Sequence, residues 1–519
     1  FAKEILFYTH PDVWTTPQDA GDAQPENWTD ELFKRAILDG LPLAGGRFAE
    51  LERTLASLYT VLLLDADISP EETYPFFKFA QEGLHESKQI TLENYKKIHA
   101  LRNGIIERNL EDLRLLIYFI IYSDFGKSPK IRELLEPYKD RINTQAGPDD
   151  LMTEVLQNLT DAEIEAVVPS FGKLSEPNKI RLKQFYPLMR PCFGHILYYE
   201  RGQKTFELIA EALVKIAVAD RQTAIKLLFM AQFGDGMGAQ GQAIITGSVT
   251  CTNDFYYCYQ LMHDALVGLE KDITNKEKGL QGIEMKGEPV ETAFNMTVSK
   301  RAEWLGFPYP DYWSELSEGV RTENQVQFRI ACMIRCPNDS VKLLHDYYHR
   351  LELQYRELLN EQLSFSTERG LESWKARVDY VATTPLNVSQ SLMRVGKTEE
   401  AIAVGMRASI CLAMLLKHIA ETFPSIVNDP NRTISLKQFA IFANDLPKML
   451  YPATFNPRQW EFAVDTNQVI RKLSPLVANN LLAPPPPERP ASPQPGAANS
   501  VTDSSLSLDL SGLGMNKFR

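Results

Sequence analysis

Four side chains with affinity for zinc stand in two pairs at helical spacing, Cys332 with Cys336 and His345 with His349. Residues four apart share a helix face, and Pro337-Asn338-Asp339 between the pairs reads as a turn. An antiparallel hairpin could therefore bring two thiolates and two imidazoles onto one tetrahedral ion. The structural alternative is an ordinary packed hairpin, because this stretch is rich in Leu, Ile and Val and needs no metal to supply a core. A second feature, Gly236-Met237-Gly238-Ala239-Gln240-Gly241, has the glycine spacing of a dinucleotide-binding turn. Such a turn needs a strand before it and a helix after it to aim amides at a pyrophosphate, and the following AIITGSVTCT is a poor helix. We read 233–258 instead as a loop, either a plain connection or the mouth of a pocket with Asp235, Gln240, Gln242 and Asn253 as polar contributors. No G-x-S-x-G elbow is present, and Gly126-Lys127-Ser128 lacks the upstream glycine of a P-loop, position 121 being Ile.

The most informative segment is Tyr95 to Leu134, which sets out a helix carrying His99, a turn, an apolar helix ending on Asp124, and then Gly126-Lys127 entering a new helix near Pro129. This order resembles the HD-domain phosphohydrolase superfamily, whose metal site uses a histidine on one helix and a His-Asp pair at the end of an apolar one. The resemblance implies an all-α orthogonal bundle, a divalent metal ion (Mn, Mg, Fe or Zn) and hydrolysis of a phosphate-containing small molecule. It implies His99, Asp124, His195 and Asp150 as metal ligands, with Asp149, Asp220 and Asp264 as alternatives, and Lys127, Arg201 and Glu200 as the groups that meet substrate. Imidazole and carboxylate suit such an ion, which acidifies bound water and clamps a phosphoryl oxygen. Ser123 stands where the pair has its histidine. A bundle that kept the helices but not that ligand would serve as a non-catalytic adaptor holding a protein partner, which is the second reading.

The elements that must position these groups follow from composition and period. With 519 residues, 44% apolar and 24% charged, the chain has the make-up of a folded multi-domain protein. Its net charge of -12 repels phosphate backbones and anionic lipid, and the lysine-containing stretches are diluted by Glu and Asp, so a nucleic-acid role is not expected. Six cysteines are too few for a disulfide framework, and a soluble, cytoplasmic protein is expected. Leu113 to Tyr122 is the most apolar run; it falls short of the roughly 20 residues that span a bilayer, so it reads as a core helix and no transmembrane segment is expected.

Helical period runs through Thr29–Leu38, Arg47–Leu64, Pro70–Leu84, Thr91–Glu107, Leu110–Tyr122, Lys130–Tyr138, Leu151–Leu159, Thr205–Phe233 and Phe255–Lys271. Ser69-Pro70-Glu71-Glu72 and Gly147-Pro148-Asp149-Asp150 carry helix-start chemistry. Gly279 to Tyr312 reads as irregular and marks a boundary. Beyond it, Gln325–Arg335, Val341–Leu363, Gly370–Tyr380, Thr398–Phe423, Leu436–Leu450 and Gln459–Leu473 read as helices. The expected layout is an N-terminal extension (1–28), an HD-like helical domain (29–310), a second helical domain (311–482) and a disordered Pro/Ser-rich tail (483–519).

Overall fold

The computed structural model describes residues 49–63, 69–105, 110–238 apart from a few single positions and 200–202, 251–278, 288–307, 316–365, 377–379, 396–427 and 433–436, with isolated residues from 385 to 393. The expected extension, the Thr29–Leu38, Leu436–Leu450 and Gln459–Leu473 helices and the tail lie outside these residues, apart from Leu436 itself. Within them the protein is all-α. In chain order the helices are α1 (Ala49–Leu63), α2 (Pro70–Ala80), α3 (Leu92–Ile105), α4 (Leu110–Phe125), α5 (Pro129–Leu135), α6 (Pro148–Asn158), α7 (Asp161–Val167), α8 (Glu176–Phe185) and α9 (Phe193–Leu197). There follow α10 (Lys204–Leu213), α11 (Arg221–Gly238), α12 (Asn253–Glu277), α13 (Pro289–Leu305), α14 (Glu318–Met333), α15 (Val341–Arg350), α16 (Leu353–Leu363), α17 (Thr398–Thr422) and α18 (Pro424–Val427).

The caps fall where the sequence puts them. Ser69 Oγ accepts from the Glu72 amide while the Glu72 carboxylate accepts from the Ser69 amide, a reciprocal box with Pro70 in the first turn. Thr160 and Glu163 repeat it at α7.

Several expectations are corrected. Thr205–Phe233 is two helices, α10 and α11, parted at 214–220, where the Arg221 guanidinium draws the Leu213 and Ile216 carbonyls onto itself. Helix also runs past Phe233 to Gly238 and resumes at Asn253, so the expected loop shrinks at both ends; 239–250 are outside the described residues. Pro289–Leu305 is helical where irregular chain was expected, ended by Gly306 at φ 75°, a left-handed conformation that glycine adopts without Cβ strain. Val341–Leu363 divides at Leu351-Glu352. Within the expected 370–380 helix, Arg377–Asp379 instead pairs in parallel with Thr433–Ser435, the one strand pairing among the described residues.

A single buried core runs through the described helices. α11 packs against α1, α4 and α12, and α17 against α14, α15 and α16. The two blocks on either side of residue 310 meet at Tyr199, whose ring packs on Phe294, Phe328 and Phe365 at centroid distances of 6.2, 5.0 and 5.8 Å. Tyr199 sits at φ 52°, and Arg329 of α14, wholly buried, donates to its carbonyl at 2.7 Å. The same guanidinium donates to the Leu363 and Ser364 carbonyls at the end of α16, groups that have no partner within their own helix. Arg132 does likewise for Gly126, Thr144 and Ala146. Carbonyls left over at helix ends and in connections are thus gathered by arginine forks, each reaching several from one side chain.

α17 is long and apolar enough to cross a membrane, a property the sequence reading assigned to no segment. In the fold 89% of its most apolar window is buried by neighbouring helices, as for a helix that is apolar all round at the centre of a bundle.

Candidate functional site

Asp124 closes α4, the helix of the apolar run that is buried almost continuously from Leu115 to Gly126. A carboxylate in the last turn of a helix faces the negative end of the dipole, and here it is also 6% exposed, so it needs partners. Two are in place. Lys127, in the turn after α4, sets Nζ 2.5 Å from Asp124 Oδ1, and Thr54 of α1 donates its hydroxyl to Oδ2. Asp235 of α11 lies within electrostatic reach. Burial pushes the Asp124 carboxyl above the ordinary aspartate range and Asp235 adds to this, while Lys127 and Thr54 pull the other way.

What brings Thr54 and Asp235 to one carboxylate is the close approach of α1 and α11. A Cβ on Gly238 would lie 2.0 Å from Ser57 Oγ and 2.5 Å from the Arg53 carbonyl, and one on Gly234 would lie 3.2 Å from Val61 Cγ2. Gly238 of the G-x-G-x-x-G string and Gly234 before it therefore serve contact with α1, and Gly236 faces Tyr259 and Phe255 of α12. No dinucleotide turn is formed by Gly236 and Gly238, which lie within α11.

Of the expected site residues, Asp124 and Lys127 are in contact. Ser123 turns its hydroxyl back to the Ile120 carbonyl at 2.7 Å, so the position of the pair's histidine is occupied by a side chain bonded to its own helix. His99 is buried on α3 and acts electrostatically on Glu71, whose carboxyl is held low chiefly by a hydrogen bond from Lys96. Asp150 is half-buried in the first turn of α6. Asp220 pairs with Arg181 at 3.4 Å, and Asp264 is exposed beside His263, whose ring rests on Phe229. His195 lies on α9, whereas its side chain and all of Glu200 and Arg201 are outside the described residues. Among the described residues no three His, Cys, Asp or Glu side chains converge to hold an ion.

The same result corrects the four-ligand zinc reading. Cys332 and Cys336 face the core at 0% and 1% exposure, and burial, the largest influence on each, pushes both thiols up to about 12. The thiols are thus turned into the core while the imidazoles lie on the opposite, solvent side, so the four do not converge. His345 and His349 lie on the solvent side of α15 with ring centroids 4.2 Å apart, and His345 Nδ1 is 2.7 Å from Gln327 Oε1 of α14. The expected pocket residue Asn253 is a clamp. Its Oδ1 accepts from the Thr91 amide and Asn94 Nδ2, and its Nδ2 donates to the Gln89 carbonyl, tying the start of α12 to the α2–α3 connection.

A groove of about 610 Å³ opens between α14 and α16, lined by Glu318, Gly319, Thr322, Glu357, Asn360 and Glu361. Glu361 also faces Lys417 of α17 at 3.6 Å. Neither this groove nor Thr54 and Asp235 carry a linear signal, since each joins helices far apart in the chain. No known protein family, curated protein or solved structure matches the chain.

Proposed function

We propose that the chain is a non-catalytic helical scaffold that holds a protein partner, and that the Asp124 cluster anchors its bundle rather than an ion. The observation that carries this reading is the state of Asp124, with the Lys127 ammonium on one oxygen and the Thr54 hydroxyl on the other. A divalent ion at Asp124 would displace a cation already paired there, and would meet a back-bonded hydroxyl at position 123 in place of an imidazole.

The partner face is the groove between α14 and α16. Three glutamates line it, and the same helices expose Val320 and Leu353 at 48% and 61%. Carboxylates around an open groove favour a cationic segment with apolar residues among its charges, and the net charge of -12 steers such a segment in.

Two assays on the full chain test this. Protein incubated with Mn²⁺ and given bis(p-nitrophenyl) phosphate is expected to turn over no faster than buffer. A fluorescent lysine–leucine peptide is expected to bind, and to bind several-fold more weakly in a Glu318→Gln/Glu357→Gln/Glu361→Gln variant and at high salt. Turnover abolished by both His99→Ala and Asp124→Asn would overturn the scaffold reading in favour of an HD-type metal site. Peptide binding indifferent to the three substitutions would reject the groove.

A further inference from the structure

We propose that His345 and His349 form an exposed two-imidazole site on α15 for a borderline divalent transition-metal ion of the Zn²⁺ or Cu²⁺ class. The two stand one helical turn apart on the same face, both open to solvent, with ring centroids 4.2 Å apart. Side chains at this spacing present Cβ atoms about 5–6 Å apart, close enough for two ring nitrogens to reach one ion at about 2.0–2.1 Å. Helical His-x-x-x-His pairs bind metal for this reason.

The neighbourhood prepares the site. Gln327, 1% exposed and so fixed in the core, offers its amide oxygen to His345 Nδ1. An acceptor at Nδ1 places the ring proton there and leaves the Nε2 lone pair facing outward, as outer-shell partners do for metal-bound histidines. Burial and the neighbouring His349 hold the His345 imidazole below its ordinary range, against an opposing pull from Asp346 and Glu323, which favours the neutral ring that a metal ion needs. Imidazole nitrogens select Zn²⁺, Cu²⁺ or Ni²⁺ over Mg²⁺ and Ca²⁺, which prefer oxygen. With two protein ligands the ion keeps positions open to water or to a histidine or carboxylate of another molecule. Tyr348, whose ring meets that of His349 at 5.5 Å, donates to Asn360, a residue in the lining of the α14–α16 groove. The site does not depend on the scaffold reading.

The test is titration of the full chain with Cu²⁺ by calorimetry, alongside the electron paramagnetic resonance spectrum of the first equivalent. The wild type is expected to bind one equivalent in a two-nitrogen environment. His349→Ala is expected to weaken that site at least tenfold, and His345→Ala/His349→Ala to remove it with the circular dichroism spectrum unchanged. Gln327→Leu, which keeps both imidazoles but not the acceptor, is expected to weaken binding roughly 10–100-fold. Because Gln327 is buried, the exposed His349→Ala variant decides the matter if Gln327→Leu does not fold. A first equivalent with the same affinity and spectrum in the double variant would overturn the proposal and assign that ion to the other histidines.

Discussion

Replacing Gly238 by alanine sets two calculable effects against each other. In an exposed helix the change removes the glycine penalty and stabilises by about 0.5–1 kcal/mol. At position 238 the new methyl would lie 2.0 Å from Ser57 Oγ, 2.5 Å from the Arg53 carbonyl oxygen and 2.8 Å from the Ser57 amide nitrogen. Two of these atoms are backbone of α1, so α1 and α11 must part, which also loosens the contact of Gly234 with Val61 and the Ser57 carbonyl. Overpacking costs about 1–3 kcal/mol, and contacts under 3 Å with backbone put this site at about 2–3 kcal/mol, so the net expectation is a loss of about 1–2.5 kcal/mol. Gly268 is the control. It lies within α12, and a Cβ there meets nothing within 4 Å, so Gly268→Ala should gain about 0.5–1 kcal/mol. Urea unfolding followed by far-UV circular dichroism should show midpoints moving in opposite directions with unchanged slopes. Adding Ser57→Ala to Gly238→Ala should recover only part of the loss, because the Arg53 carbonyl remains. A Gly238→Ala midpoint at or above that of the wild type would refute the close approach of α1 and α11, and with it the route by which Thr54 and Asp235 reach Asp124.

Two further expectations concern buried charge. The folded carboxyl of Asp124 is raised above its unfolded value, chiefly by burial, so between the two values the folded chain binds the proton more readily. Its contribution to stability is therefore greatest below the ordinary aspartate range and declines as pH climbs through the folded value; Asp124→Asn should remove that decline, and an unaltered stability profile from pH 4 to 8 would sink the assignment. Arg329→Ala strands the carbonyls of Tyr199, Leu363 and Ser364 and should lower stability by about 3 kcal/mol or more in thermal unfolding. Arg329→Lys should restore less than half, since one ammonium cannot span carbonyls on two segments, and a fully restored midpoint would contradict the fork geometry.

Local chemistry was legible wherever it is written in neighbouring residues. Ser69 to Glu72 announced a capped helix and formed one, the apolar run from Leu113 marked a core helix, and Pro148 opened another. Where the outcome depended on distant partners, the sequence misled. The glycines near 236 signal a loop only if nothing packs on them; α1 lies against them, and the helix continues to Gly238 because a neighbour there rewards the absence of a side chain. The Cys332–Cys336 and His345–His349 pairs each have a spacing that suits zinc, yet packing turned the thiols inward and left the imidazoles outside, since helical period sets which residues share a face and not which face meets the core. Asp124 is the clearest division between the two levels. Its place at the end of an apolar helix, three residues before Lys127, is a property of the sequence, and so is the need to neutralise it. Which groups meet it from outside its own helix was decided by α1 and α11, which bring the Thr54 hydroxyl as a donor and Asp235 as a second negative charge from about 70 residues before it and 111 after it.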